Sequence, residues 1–327
     1  MSKRLLLLAA LVAIGGCNRR PKLDPLVRLE SYAFNASAPL ESRITEIPAE
    51  LLAFYASEDK RPDYAAYRPS AADKALVMKY LRLLPPVYER VFAKRCVGVY
   101  FVKGLIGNGI TSWVAGPDDK VYFHITLNPA MLQQDLSAIM TERERSCFKP
   151  KAGWDVTVAA GHNYKGLLYG LVHEAAHGLD YAAGISPYTD DTMPAYYWPP
   201  KQLSGGFFFD LWADYRTAHL EGDFPGRDRI TFYGLGGGPK LDITEAPELY
   251  KDLAASGFPS LYGARSWAED LAELETFYTL TVSLKQPVRV TLASPEGKYS
   301  LATMDGKALG RAEELRSYME KIDDAAL

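Results

Sequence analysis

Residues Gly166 to Gly184 read GLLYGLVHEAAHGLDYAAG, an apolar run with two histidines and a glutamate at its centre. Leu167, Leu168, Leu171, Val172, Ala175, Ala176, Leu179 and Ala183 leave hardly any side of a helix polar, so the spacing predicts one that is almost wholly buried and ends at Gly184. Two imidazoles and a carboxylate in such a helix are unfavourable unless paired or bound to a metal. His173 and His177 stand one turn apart on a single face, where both can reach one ion. Glu174 lies about 100° further round the axis, placed to reach a water beside that ion rather than the ion itself. With five histidines and 19 glutamates in 327 residues, chance produces this HExxH pattern in under roughly one chain in 200.

Two histidines and a water leave a zinc site one protein ligand short. No third histidine follows at short spacing, since Gly184 and Ile185 occupy that stretch. The stretch SLYGARSWAEDLAELETFYTL, residues 260–280, offers Glu269 and Glu273 four apart on one helix face, with Asp270 between them. Such an acidic run is otherwise a solvated helix face. HEAAHGLD followed by Y-x6-E-x-x-A-E resembles the gluzincin metallopeptidases, particularly the branch similar to the catalytic domain of anthrax lethal factor. That resemblance implies an α+β, zincin-like fold: a small, mostly antiparallel sheet packed on the HExxH helix, with a C-terminal helical part. It also implies one Zn²⁺ held by His173, His177 and Glu269, with Glu174 as general base and Tyr262 assisting catalysis. Glu273 would support a ligand histidine from behind, and Asp180, three residues after His177, would serve there or in helix packing. Glu269 follows His177 by 92 positions, long for this group, which implies an insertion at about 185–258.

The amino terminus carries a different message. MSKR is basic, LLLLAALVAI is apolar and IGGC follows, the order of an export signal too short to span a membrane in the ordinary way. The end resembles a bacterial lipobox, with residues 1–16 as signal peptide and Cys17 as the lipidated first residue. Asn18 after the cysteine favours the outer membrane, so the expected location is the bacterial cell envelope. Removing residues 1–16 takes away Lys3 and Arg4 and leaves 35 cations against 40 acids, a net charge of −5. No basic block follows, which argues against a nucleic-acid partner. An oxidising compartment permits a disulfide between Cys96 and Cys147, the two remaining cysteines.

Residues 17–45 contain Pro, Ser and Ala without sustained periodicity and read as a tether. Helices are expected over 46–95, with Ser70 as a cap and Pro85–Pro86 as a break or fresh start. The period then shortens: residues 97–127 read as two or three antiparallel strands, followed by a helix from about 129 to 145 and a strand over 154–161. A catalytic domain is expected over 96–327. GLIGNGIT and YGLGGGPK match no nucleotide-binding spacing and read as loops. The aromatic-rich PAYYWPPKQLSGGFFFDLWADY could wall a cleft or fill a core, and Asp190–Asp191 could bind calcium or simply be solvated. His124 could line the cleft or be a core imidazole, while His162 and His219 have no partner spacing. The expected partner is a peptide or protein substrate, including cell-wall peptides. The reading of a different class is a non-catalytic zinc-containing lipoprotein used for binding or adhesion, against which an intact Glu174 speaks.

Overall fold

The computed structural model describes residues 20–199, 207–302, 304–324 and 327. In chain order the helices are α1 (Ala49–Glu58), α2 (Ala71–Leu81), α3 (Pro86–Arg95), α4 (Leu136–Ser146), α5 (Leu167–Ala183), α6 (Ala246–Ser256), α7 (Trp267–Tyr278) and α8 (Gly306–Met319). The strands are β1 (Ala65–Ala66), β2 (Cys96–Lys103), β3 (Gly109–Ala115), β4 (Val121–Leu127), β5 (Phe148–Lys149), β6 (Asp155–Ala159), β7 (Leu241–Asp242), β8 (Arg289–Ser294) and β9 (Gly297–Ala302). The architecture is α+β.

Three sheets form: a four-stranded one in the order β1-β2-β4-β3, a short parallel pair β5-β7, and an antiparallel β6-β8-β9. Within the first, β3 and β4 make the expected antiparallel hairpin, but β2 runs parallel to β4. Apolar alternation does not encode strand direction, so this pairing was invisible in the sequence. Seven of the eight residues of β2 are buried, because α5 covers one face of the sheet and α1 with the chain before it covers the other. Local signals worked well in the helices. Ser70 and Asp73 form a reciprocal capping box, and Pro86 opens α3 where its missing N–H costs nothing.

α5 lies close against β4 because Gly178 has no side chain: a Cβ there would come within 2.4–2.8 Å of the Phe123 ring. α7 packs along α5 and continues beyond Tyr278 as a π-turn, Thr279–Ser283, while α8 covers its far side. One hydrophobic core runs through all of this. Val77, Tyr88 and Phe92 of α2 and α3 share it with Phe123, Leu168 and Leu274, so residues 46–95 pack into the same body as the remainder. Burying each such side chain contributes roughly 1.5–3 kcal/mol, enough in sum to hold several charged groups inside.

The expected tether is mostly part of the fold. Arg20 donates to Asp119 (2.7 Å) and to the Gly116 carbonyl (2.8 Å), and Arg28 bridges Ala115. Phe34 meets Tyr122 edge-on at 5.3 Å, and buried Arg43 donates to the carbonyls of Phe92, Ala93 and Cys96. Apolar residues at irregular intervals, among them Leu23, Leu26, Val27 and Tyr32, provide the anchorage without a periodic signature. The expected signal peptide and Cys17 lie outside the described residues.

Candidate metal centre

His173 and His177 project from one face of α5 with their rings 4.9 Å apart and nearly perpendicular. Their Nε2 atoms are 3.2 Å apart. α7 brings Glu269 against them, its Oε2 lying 3.1 Å from His173 Nε2 and 3.5 Å from His177 Nε2. Four corners about 2.0–2.1 Å from a common centre stand roughly 3.3 Å from each other in a tetrahedron, so this triangle has the size a zinc-binding face requires. Among the described residues, these three form the one group whose ligand atoms lie close enough together to hold a metal ion.

The electrostatics agree with that size. Burial opposes charge on His173, yet hydrogen bonds to Glu269 and Glu273 outweigh it and raise its pKa to about 10. Burial likewise opposes charge on Glu269, but the two histidines hold its carboxyl well below the ordinary range. A histidine held cationic between ionised carboxylates marks a position that favours positive charge.

Behind His173 stands a second tier. Its Nδ1 is 2.9 Å from Glu273 Oε1. Glu273 is fully buried and also accepts from Arg143 (2.6 Å), Tyr169 (2.6 Å) and Ser260 (2.5 Å). Burial pushes its pKa up, but Arg143 and His173 prevail and bring it to about 2. An ionised Glu273 accepts the Nδ1 proton of His173, which turns the other ring nitrogen, Nε2, towards Glu269 and His177. Arg143 in turn pairs with Glu144 and contacts Tyr169, and Tyr250 donates to Glu144.

Glu174 points the other way, towards β3. Its Oε2 accepts from Thr111 Oγ1 at 2.7 Å, and that hydroxyl is also 2.9 Å from the Glu174 carbonyl. Room for this carboxylate depends on Gly109, where a Cβ would lie 2.7–3.0 Å from Glu174 side-chain atoms. Burial raises the Glu174 pKa against the opposing charges of His173 and His177. Tyr262 stands in the turn before α7, its ring 5.5 Å from His173. Burial, then the Glu269 charge, push its phenol well above the ordinary value, so it remains a donor at any physiological pH.

Six of the expected site residues therefore converge: His173, Glu174, His177, Tyr262, Glu269 and Glu273. Asp180 does not support a ligand histidine. It accepts from the Ser186 N–H (2.7 Å), the Ser186 hydroxyl (2.5 Å) and the Thr189 hydroxyl (2.8 Å), fastening the loop that leaves α5. The Cys96–Cys147 disulfide that an oxidising compartment permits does not form. Both are free, buried thiols that burial pushes up to about 12, and Cys96 Sγ instead faces the Gly98 carbonyl. Asp190 is tied to Thr192 and Tyr181, and Asp191 to Arg216. His124 is a core imidazole packed on Tyr32 and Tyr100, with a pKa that burial lowers to about 3.

Thr111, Arg143, Tyr169 and Ser260 escaped the sequence reading. Tyr169 alone left a signal, since it precedes His173 by one turn. Arg143 and Arg145 look alike in TERERS, yet Arg143 is 1% exposed in the core while Arg145 pairs with Asp155 at the surface. The described part of the aromatic-rich stretch divides: Phe207, Phe208 and Trp212 are core, Trp212 donating to Asp270, while Tyr196, Trp198 and Phe209 are exposed, Trp198 stacking on Tyr188. No helix among the described residues is long and apolar enough to cross a membrane. No protein-family model, curated protein or solved structure matches the chain.

Proposed function

We propose that the chain is a zinc-dependent peptide hydrolase of gluzincin, zincin-like type, working at the bacterial cell envelope and anchored by lipid on Cys17. The observation that carries this reading is the tetrahedron-sized triangle of His173 Nε2, His177 Nε2 and Glu269 Oε2 with Glu174 on the adjoining face. One zinc ion on these donors supplies Lewis acidity and brings the pKa of a water to about 7. Glu174 takes the proton of the attacking water and passes it to the leaving amine, a role suited to a buried carboxylate whose pKa is raised. Thr111 holds Oε2 during both transfers. Tyr262 donates a hydrogen bond to the oxyanion, worth on the order of 3 kcal/mol for comparable donors. Glu273, with Arg143 and Tyr169 behind it, fixes the His173 ring. The free edge of β3, beside Glu174, pairs with an extended peptide.

Incubating the purified protein with a diverse peptide mixture tests this, with Glu174→Gln alongside and zinc content measured in both. Cleavage by the native protein alone, at one zinc per chain, is the expected result. Equal activity in both proteins would end the mechanism. Stoichiometric zinc without any cleavage would make the protein a non-catalytic zinc lipoprotein.

A further inference from the structure

The outer edge of β3 is open at one end and closed at the other. Gly116 N–H donates to Lys120 at 2.8 Å, on the side facing β4. Antiparallel alternation then turns the backbone groups of Ser112 and Val114 towards β4, and those of Gly109, Thr111, Trp113 and Ala115 outwards. Among the described residues, the one bridge on that outer edge joins Ala115 to Arg28 in parallel, which brings Pro25–Val27 beside the β3 residues just before Ala115. Arg28 is held there by its neighbours: Val27 packs on the main core, Leu26 on the cluster behind the sheet, and Tyr32 donates to the Leu26 carbonyl at 2.5 Å. Arg20 ties the start of the same arm to the β3–β4 turn. On the α5 face, Tyr197 lies 6.2 Å from Trp113 and walls the same end.

The chemistry sits near the open end, where Thr111 touches Glu174 and Gly109 makes room for it. Only Ser112, Trp113 and Val114 separate Thr111 from the occupied Ala115. At about 3.4 Å per residue, Ala115 limits an added strand to at most about three residues in that direction, and Pro25–Val27 beside β3 shorten it further. Antiparallel pairing is the more stable arrangement for a strand added to this edge, and it directs the amino end of the substrate towards Ala115.

We propose that the arm of residues 20–34 is a built-in stop at the end of the substrate strand, so that the protein cuts peptides carrying no more than about three residues before the scissile bond. The inference rests on the hydrolytic reading above and narrows its substrate class to short amino-terminal segments. The test is kcat/KM of the full-length, zinc-loaded protein on a peptide series with one to eight residues before a fixed cleavable bond. Values should be highest at three residues or fewer and fall about tenfold or more beyond three, because longer chains collide with the arm. The variant Leu26→Ser with Val27→Ser, which loosens the arm, should cleave the longest peptide within about twofold of the three-residue one, with a thermal melt checking its fold. If that variant does not fold, the native series decides alone. Equal cleavage with three and with eight residues before the bond overturns the stop and leaves hydrolysis standing. No cleavage of any peptide at full zinc loading overturns the hydrolytic reading and the stop together.

Discussion

α5 and α7 face each other across the site and reach it by opposite routes. α5 is apolar along its length, and its two histidines and glutamate stand out against that background. α7 carries Glu269, Asp270, Glu273 and Glu275, which in sequence resemble a solvated acidic stripe. In the structure Asp270, Glu273 and Glu275 are almost completely buried and Glu269 is largely so, each matched with its own positive or polar partners. Glu269 meets the two histidines, Asp270 meets Arg311 and Trp212, Glu273 meets Arg143 and His173, and Glu275 meets Arg316. Polar residues inside an apolar helix announce themselves, whereas acids that are buried by their surroundings do not. The difference lies in the partners, which come from α4, α5, α8 and the loop that carries Trp212.

Experiments can break or sharpen that contrast. The largest effect is expected at the base: Glu174→Gln should lower kcat for peptide cleavage about 10³-fold while zinc content is unchanged. Next comes the charge hidden in the core. Arg143→Leu strands Glu273 and Glu144 without their cation and should destabilise by about 3–5 kcal/mol in urea titration. A loss below about 1 kcal/mol would mean the α7 acids do not need their partners. Glu273→Gln keeps the shape but weakens the grip on His173, so zinc affinity by competition with a chelator should fall roughly 10–100-fold. The Arg311 pair offers a control away from the metal: Asp270→Asn should lower the melting temperature and leave zinc affinity alone.

The smallest expected effect is on the pH profile of chelator-stripped protein. His173 has a native pKa of about 10 against an ordinary 6.5, so its contribution to stability is present below 6.5 and lost as pH rises through 10. Glu269 and Glu273 are depressed below 4.5, so their contribution is present above 4.5 and lost as pH falls through their native values. Urea midpoints should therefore peak between about pH 4.5 and 6.5. Zinc should remove the alkaline decline, because the metal replaces the proton on His173 Nε2. A profile flat from pH 5 to 10 without metal would contradict this network.

Much of the fold was legible in local terms. The Ser70 cap, the Pro86 start, the strand at Asp155 and the Gly184 terminus all rest on short-range chemistry, and the helix expected from about 129 to 145 divides into a 3-10 turn, Pro129–Leu132, and α4 from Leu136. The direction of β2, the docking of residues 20–44 and the burial of Arg143 were not legible, because each depends on segments far away in the chain. Which of its two expected roles Asp180 takes was not legible for a similar reason: its partners, Ser186 and Thr189, lie on a loop whose path no local pattern dictates.

By itself, then, the sequence determined the HExxH pair, because a helical turn of 3.6 residues forces His173 and His177 onto one face and Glu174 off it. It narrowed the third donor to a few neighbouring acids. Tertiary structure alone distinguishes them, since the packing of α7 along α5 turns Glu269 towards the histidines and Glu273 behind His173. It also decided that β3 is an edge strand and that Arg28 closes its end, because strand neighbours and edge contacts are relations between distant residues that no window of sequence contains.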